Sequence, residues 1–383
     1  MKHSEKTTKS KKKSPKRVVN KTVTLVKTNT FLQAALILFA GAFIAAGILT
    51  INRDTEAQSN AKLLTVKDVK PIKDCQANAT FKCYNDYFVA VTNDKDPAAA
   101  FAELKVIYET DSYAKSQCHQ VAHSIGHAAY DKYKSLGKAY PLGDSFCWSG
   151  FHHGATERAI AQLGPEKIKS DANDVCAELG KKSKYSFDHF NCVHGLGHGF
   201  MAVESYNLFT SLKDCDIIKD GWERESCYGG AFMENVMVAS RGDGTSDYLK
   251  PDQLMYPCTA VDVSYKQQCY LMQTSYALQQ NGYNFAEAFR LCKDVADSAY
   301  TITCYQSIGR DASGSTVSDV ERTLSNCKNA SDDEGLKNCM YGAVRDFVSY
   351  YHSDTKAREL CVAFGGEITD QCNSEVTAYY RSF

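Results

Sequence analysis

The sequence contains no Gly-rich phosphate loop, no serine-nucleophile motif and no nucleotide fingerprint, so nucleotide-dependent and serine-hydrolase chemistry finds no anchor in it. No Cys-x-x-Cys-His occurs, which argues against covalently attached haem. No stretch alternates apolar and polar residues at strand spacing, so a β architecture is not expected. Net charge is also nearly missing, at −1 for 383 residues, but that figure conceals a split. Ten of the 44 basic residues, including Lys11-Lys12-Lys13 and Lys16-Arg17, lie in the first 30 positions against the single Glu5. The remainder is acidic, which argues against nucleic acid as a partner.

Long apolar runs are equally scarce, and the one present is informative. Residues 31–51 are uncharged and nearly all apolar, long enough for a helix to cross a hydrocarbon core of about 30 Å. The run is too long for a cleavable signal peptide and lacks a good small-residue cleavage site, so it reads as an uncleaved signal anchor. The basic residues before it hold the N-terminus in the cytoplasm and send the rest outside. The expected organisation is a basic cytoplasmic tail over 1–30, a transmembrane helix over 31–51, a polar stalk over 52–74 and an extracytoplasmic domain over 75–383. Gly41 with Ala45, and Ala42 with Ala46, give the membrane helix a small-residue face suited to weak homodimerisation.

All 16 cysteines follow the apolar run, an even number in an oxidising compartment, which favours structural disulfides. Cys192, Cys227, Cys269, Cys304 and Cys339 stand 35, 42, 35 and 35 residues apart, and an aromatic residue often follows the cysteine. A period in the mid-thirties is the length of one helical hairpin in a solenoid. Cys215–Cys227, Cys258–Cys269, Cys292–Cys304, Cys327–Cys339 and Cys361–Cys372 are 11 or 12 apart and would tie the end of one helix to the start of the next. Cys176–Cys192 fits with a longer loop, Cys75–Cys83 with a shorter one, and Cys118 and Cys147 are left to bridge neighbouring repeats. In period and in the recurrent Cys-aromatic-x-Gly helix start, the chain resembles the tetratricopeptide and Sel1-like helical-hairpin repeats. That resemblance implies an all-α solenoid, here stapled by disulfides and expected to run as one elongated array.

Eight of the nine histidines beyond the membrane run fall between His119 and His198. His123 and His127, His153 and Glu157, and His194 and His198 are each four apart, so each pair shares one helix face a turn apart. Two imidazoles so placed can grip one metal ion. Glu234, in Gly230-Ala231-Phe232-Met233-Glu234, continues the series into the next repeat. The candidate metal ligands are His123, His127, His153, His194, His198, Glu157 and Glu234, with Glu157 and Glu234 also candidate catalytic bases. His119, His152 and His189 are candidates for supporting or spare ligands, and His352 for an exposed surface residue. Gly126, Gly154, Gly195, Gly197, Gly199, Gly229 and Gly230 crowd these segments, although a mid-helix glycine costs about 1 kcal/mol relative to alanine. Close approach of a neighbouring helix or of a ligand would offset that cost.

The layout is similar to that of helical-repeat metal hydroxylases such as deoxyhypusine hydroxylase, although the His-Glu dipeptides of that family are absent here. These features together lead to the expectation of a membrane-anchored extracytoplasmic metalloprotein holding one or two divalent transition ions, with zinc, iron or manganese ahead of copper. A metal-dependent enzyme of hydrolase or oxygenase class, acting on an unidentified extracellular substrate, is the leading reading. The alternative is a cell-surface scaffold in which the histidines only pack.

Overall fold

A computed structural model describes residues 63–180, 185–240 and 246–381. The basic tail, the apolar run 31–51 and the stalk up to residue 62 lie outside the described residues. Among the described residues there is no strand, and no helix is long and apolar enough to cross a membrane. Residues 63–71 lie against the first long helix, with the Val66 amide donating to Asp94 Oδ2 at 2.8 Å and Asn93 Nδ2 to the Leu64 carbonyl at 3.0 Å.

The domain is an array of helical hairpins. Its inner helices are α1 (Phe81–Asp94), α2 (Cys118–Tyr133), α3 (Gly150–Leu163), α4 (Phe187–Val203), α5 (Gly221–Ser240), α6 (Val263–Gln280), α7 (Ser298–Gly314), α8 (Asp333–Tyr351) and α9 (Ile368–Arg381). Each packs on the next, while shorter helices such as Leu208–Cys215, Phe285–Lys293 and Val320–Cys327 form an outer layer. The sequence sets these boundaries by capping. Asp262, Asp297 and Asp332 accept backbone amides at the starts of α6, α7 and α8, and Asn284 and Asp319 do the same for outer helices. Each such cap is worth about 1 kcal/mol, so the repeat is written in its turns as well as in its core.

All eight disulfides join the pairs expected from the spacing, including Cys118–Cys147, and no cysteine is free. Six of them fasten the outer layer or the turn after it to the second turn of an inner helix. Closing loops of this length restricts the unfolded chain by about 3 kcal/mol each on the entropic model. The glycines serve helix contact. A Cβ on Gly197 would lie 2.1 Å from the Cys227 carbonyl oxygen, and one on Gly230 would lie 1.8 Å from that of His194. Reciprocal glycines thus press α4 and α5 together backbone to backbone, and Gly126 with Gly154, and Gly309 with Gly342, repeat the device.

The array is not elongated, contrary to the expectation from repeat growth. It curls until late repeats face early ones: the His352 ring stands 4.6 Å from that of Phe187, and Ser145 bonds to the same imidazole. Gly314 at the end of α7 lies directly against the Trp148 indole before α3. A small constant rotation per unit is enough to produce this curvature, and the contacts that close it fall at single side chains with no sequence period.

A candidate metal centre on four inner helices

Four consecutive helices, α2 to α5, bring their histidines and glutamates to one place. His119, His123 and His127 occupy one stripe of α2 at successive turns, a face set by the four-residue spacing. His153 and Glu157 come from α3, His194 and His198 from α4, and Glu234 from α5. His119, His123, His153, His194, His198 and Glu234 are all buried.

One nitrogen from each of His119, His123, His153 and His198 converges, the four lying within 4.8 Å of one another. The other nitrogen of each ring is held from behind. His119 Nδ1 donates to the Cys147 carbonyl at 2.8 Å, and His123 Nδ1 to Glu157 Oε2 at 3.0 Å. His198 Nδ1 donates to Glu234 Oε2 at 2.8 Å. His153 Nε2 meets Asn191 Oδ1 at 3.1 Å, and the Asn191 amide nitrogen is committed to the Phe187 carbonyl, so its oxygen faces the ring. Carbonyl, carboxylate and carboxamide oxygens only accept, so each back-side nitrogen carries the proton. In the neutral rings the converging atoms are therefore bare lone pairs: Nε2 of His119, His123 and His198, and Nδ1 of His153.

That tautomer assignment has an electrostatic consequence. His119 Nε2 and His123 Nε2 stand 3.0 Å apart, two lone pairs facing each other in a buried space. Only a cation between them makes the arrangement favourable. His153 Nδ1 and His198 Nε2 are buried and have no hydrogen-bond partner, a costly state for a polar atom. Burial first, and the neighbouring imidazoles second, hold His119 and His153 well below the usual histidine range, and burial outweighs Glu157 in lowering His123. These three rings are thus neutral at physiological pH, the form that coordinates metal.

A second group lies alongside. Glu157 Oε2 accepts from His127 Nε2 at 2.9 Å as well as from His123. Although burial acts to raise the Glu157 carboxyl, His127 and His123 hold it well below the ordinary carboxylate range. His123, His127 and Glu157 converge closely enough to hold a metal themselves, and His127 is the most open of the three.

The remaining candidates take other positions. Glu234 stands behind His198, and His194 stands beside the four with its Nε2 unpartnered and its other nitrogen bonded to the Ser226 backbone. His189 pairs with Glu223 at 2.6 Å, away from the four. His152 packs edge-on to Tyr140, and burial lowers it to about 4. His352 is exposed, as expected. The sequence reading placed His119 outside the primary ligand set, although its spacing from His123 is the same as that of His127. Asn191 and the Cys147 carbonyl were not singled out. The latter is aimed by Cys147, Trp148 and Ser149, three consecutive residues in the left-handed region at φ 61°, 52° and 56°. Such residues cost about 1 kcal/mol or more each, and they gather where a site demands them.

The buried imidazoles border a cavity of about 300 Å³, reached by His153, Asn191 and His194 on one side and by Gln306, Arg310 and Asp346 on the other. Comparisons with family models, with curated proteins and with solved structures return no match.

Proposed function

We propose that the protein is an extracytoplasmic, membrane-anchored metalloenzyme whose His119, His123, His153 and His198 hold one divalent transition ion. The observation that carries this reading is the 3.0 Å approach of two imidazole nitrogens whose protons are both engaged elsewhere. Four ligands whose far nitrogens are each bonded to an oxygen acceptor form the arrangement that fixes tautomer and orientation in metal sites. In it, Glu157 and Glu234 orient imidazoles. An all-imidazole set favours zinc, iron or copper over manganese, which prefers oxygen donors. His127 with Glu157 offers a second, more open position that shares His123.

The adjoining cavity supports catalysis over storage, because it lets an organic molecule reach the cluster. A bound ion there supplies Lewis-acid or oxygen chemistry. The oxygenase branch fits better than the hydrolase branch. Hydrolysis needs a base free to take a proton, and the two glutamates are bonded to histidine N–H groups. Eight disulfides agree with an oxidising compartment. Elemental analysis of purified, dialysed protein tests the reading. Near-stoichiometric metal that disappears in His123→Ala supports it, and metal-free protein that takes up none on reconstitution leaves the scaffold alternative standing.

A further inference from the structure

The late repeats carry no histidine on their inner faces, yet they complete the cavity against which the histidine cluster lies. Most of its wall is aromatic or aliphatic, with Phe146, Trp148, Phe190, Leu271, Met272 and Tyr350 prominent. A cavity of about 300 Å³ is in the range that houses small organic ligands. What fits is decided by the few polar groups that remain unsatisfied.

The two arginines on the far wall are already committed. Arg310 donates to Asp311 Oδ1 at 2.7 Å and to Ser275 at 2.6 Å, and Arg345 donates to Glu375 at 2.7 Å and to Gln306 at 3.1 Å. Both guanidiniums are thus engaged by the protein's own acceptors, and Lys115, which also lines the cavity, sits with its Nζ 5.1 Å from the Tyr108 ring centroid. Burial pushes the Asp346 carboxyl on the far wall up to about 7, the mark of a surrounding that penalises charge. On the near wall His194 is 3% exposed, and its Nδ1 is bonded to the Ser226 backbone. Its Nε2 has no partner and presents a lone pair, hence an acceptor.

We infer that the cavity binds a neutral aromatic molecule bearing a hydroxyl group, of the phenol class, with the ring among the aromatic side chains and the O–H donating to His194 Nε2. Apolar burial supplies affinity and the His194 acceptor supplies orientation, with the unpartnered Trp148 Nε1–H a donor within the cavity, placing the hydroxyl end beside the histidine cluster. This deepens the metalloenzyme reading by naming its substrate class. The hydrogen bond and the aromatic wall belong to the protein alone, so binding does not require the metal.

Equilibrium dialysis of the full chain in detergent, with protein-free micelles as blank, measures 1-naphthol, naphthalene and 1-naphthoate side by side. Metal-loaded and chelator-treated protein are both used, and metal content is determined on each sample. 1-Naphthol should bind in both states, with naphthalene, which lacks the donor, and 1-naphthoate, which is charged, at least tenfold weaker. Leu271→Trp and Phe190→Trp, which fill the cavity from two different helices, should each weaken 1-naphthol at least tenfold with metal content unchanged. His194→Leu should reduce 1-naphthol to the level of naphthalene. No binding of 1-naphthol to wild type, equal binding of the three probes, or binding undiminished in both filled variants would overturn the inference. Failure of the metal reading alone would appear as absent metal with 1-naphthol binding intact.

Discussion

The α4–α5 pair and the α7–α8 pair are built on one plan and carry different chemistry. In the first, Gly197 meets the carbonyl of Cys227 and Gly230 meets that of His194. In the second, Gly309 meets the carbonyl of Cys339 and Gly342 meets that of Gln306. These contacts align the helices residue by residue. One position past the first glycine stands His198 in one pair and Arg310 in the other; three positions before it stand His194 and Gln306. Four past the second glycine stand Glu234 and Asp346. A basic group beside an acid is kept in both, but imidazole offers a lone pair and guanidinium has none. The backbone plan therefore does not make the site. Side chains at a few repeat-equivalent positions do, and the fold turns the unligating pair to face the ligating one across a cavity.

The largest effects should separate the two pairs. His198→Ala should lower metal affinity at least a hundredfold in competition with a chelator, whereas Arg310→Ala at the equivalent place should leave it unchanged. Equal metal content in the two variants would break the comparison. The scaffold should respond alike on both sides. Gly230→Ala and Gly342→Ala each force a methyl group onto a carbonyl oxygen at 1.8 Å. Each should cost about 3 kcal/mol in chemical denaturation, since overpacking a tight contact is destabilising by that order. Removing Cys292–Cys304 should cost a similar amount, about 3 kcal/mol. Metal content should survive, because that bridge lies outside the ligating helices.

Smaller effects sharpen the contrast between the two acids. Glu234→Gln keeps an acceptor but loses the charge that holds the His198 N–H, and should weaken metal about tenfold. Asp346 behaves oppositely. Its carboxyl is raised from 3.8 to about 7 in the folded chain, so the folded state holds a proton that the unfolded state has lost between those values. Its stabilising contribution is present at pH 4 and is lost as pH rises through 7. Asp346→Asn should therefore melt a few degrees higher than wild type at pH 8 and no higher at pH 4, as differential scanning calorimetry at the two pH values would show.

Much of this architecture is legible in the sequence because it is periodic. Disulfide partners repeat with the hairpin, glycines mark helix contacts, and Asp262, Asp297 and Asp332 cap successive inner helices at one interval. The four-residue spacing of His123 with His127 and of His194 with His198 gives the faces of α2 and α4. It does not say which ring turns which nitrogen inward, because that depends on oxygens from other segments, such as the Cys147 carbonyl and Asn191. His119 and His127 are indistinguishable by spacing from His123, yet one joins the four and the other pairs with Glu157. The curl of the array is equally invisible. It accumulates from small rotations and is closed by isolated contacts such as Phe187 with His352.

The central claim is that four imidazoles from α2, α3 and α4 enclose a metal ion, and X-ray absorption on purified, dialysed protein tests it most directly. The account predicts near-stoichiometric metal with four imidazole nitrogens in the first shell at about 2.0–2.1 Å, the distance usual for zinc. It also predicts loss of that signal in His119→Ala and retention in His352→Ala. A chain that stays metal-free after reconstitution, or a metal content untouched in a His123→Ala, His198→Ala double variant, would contradict it.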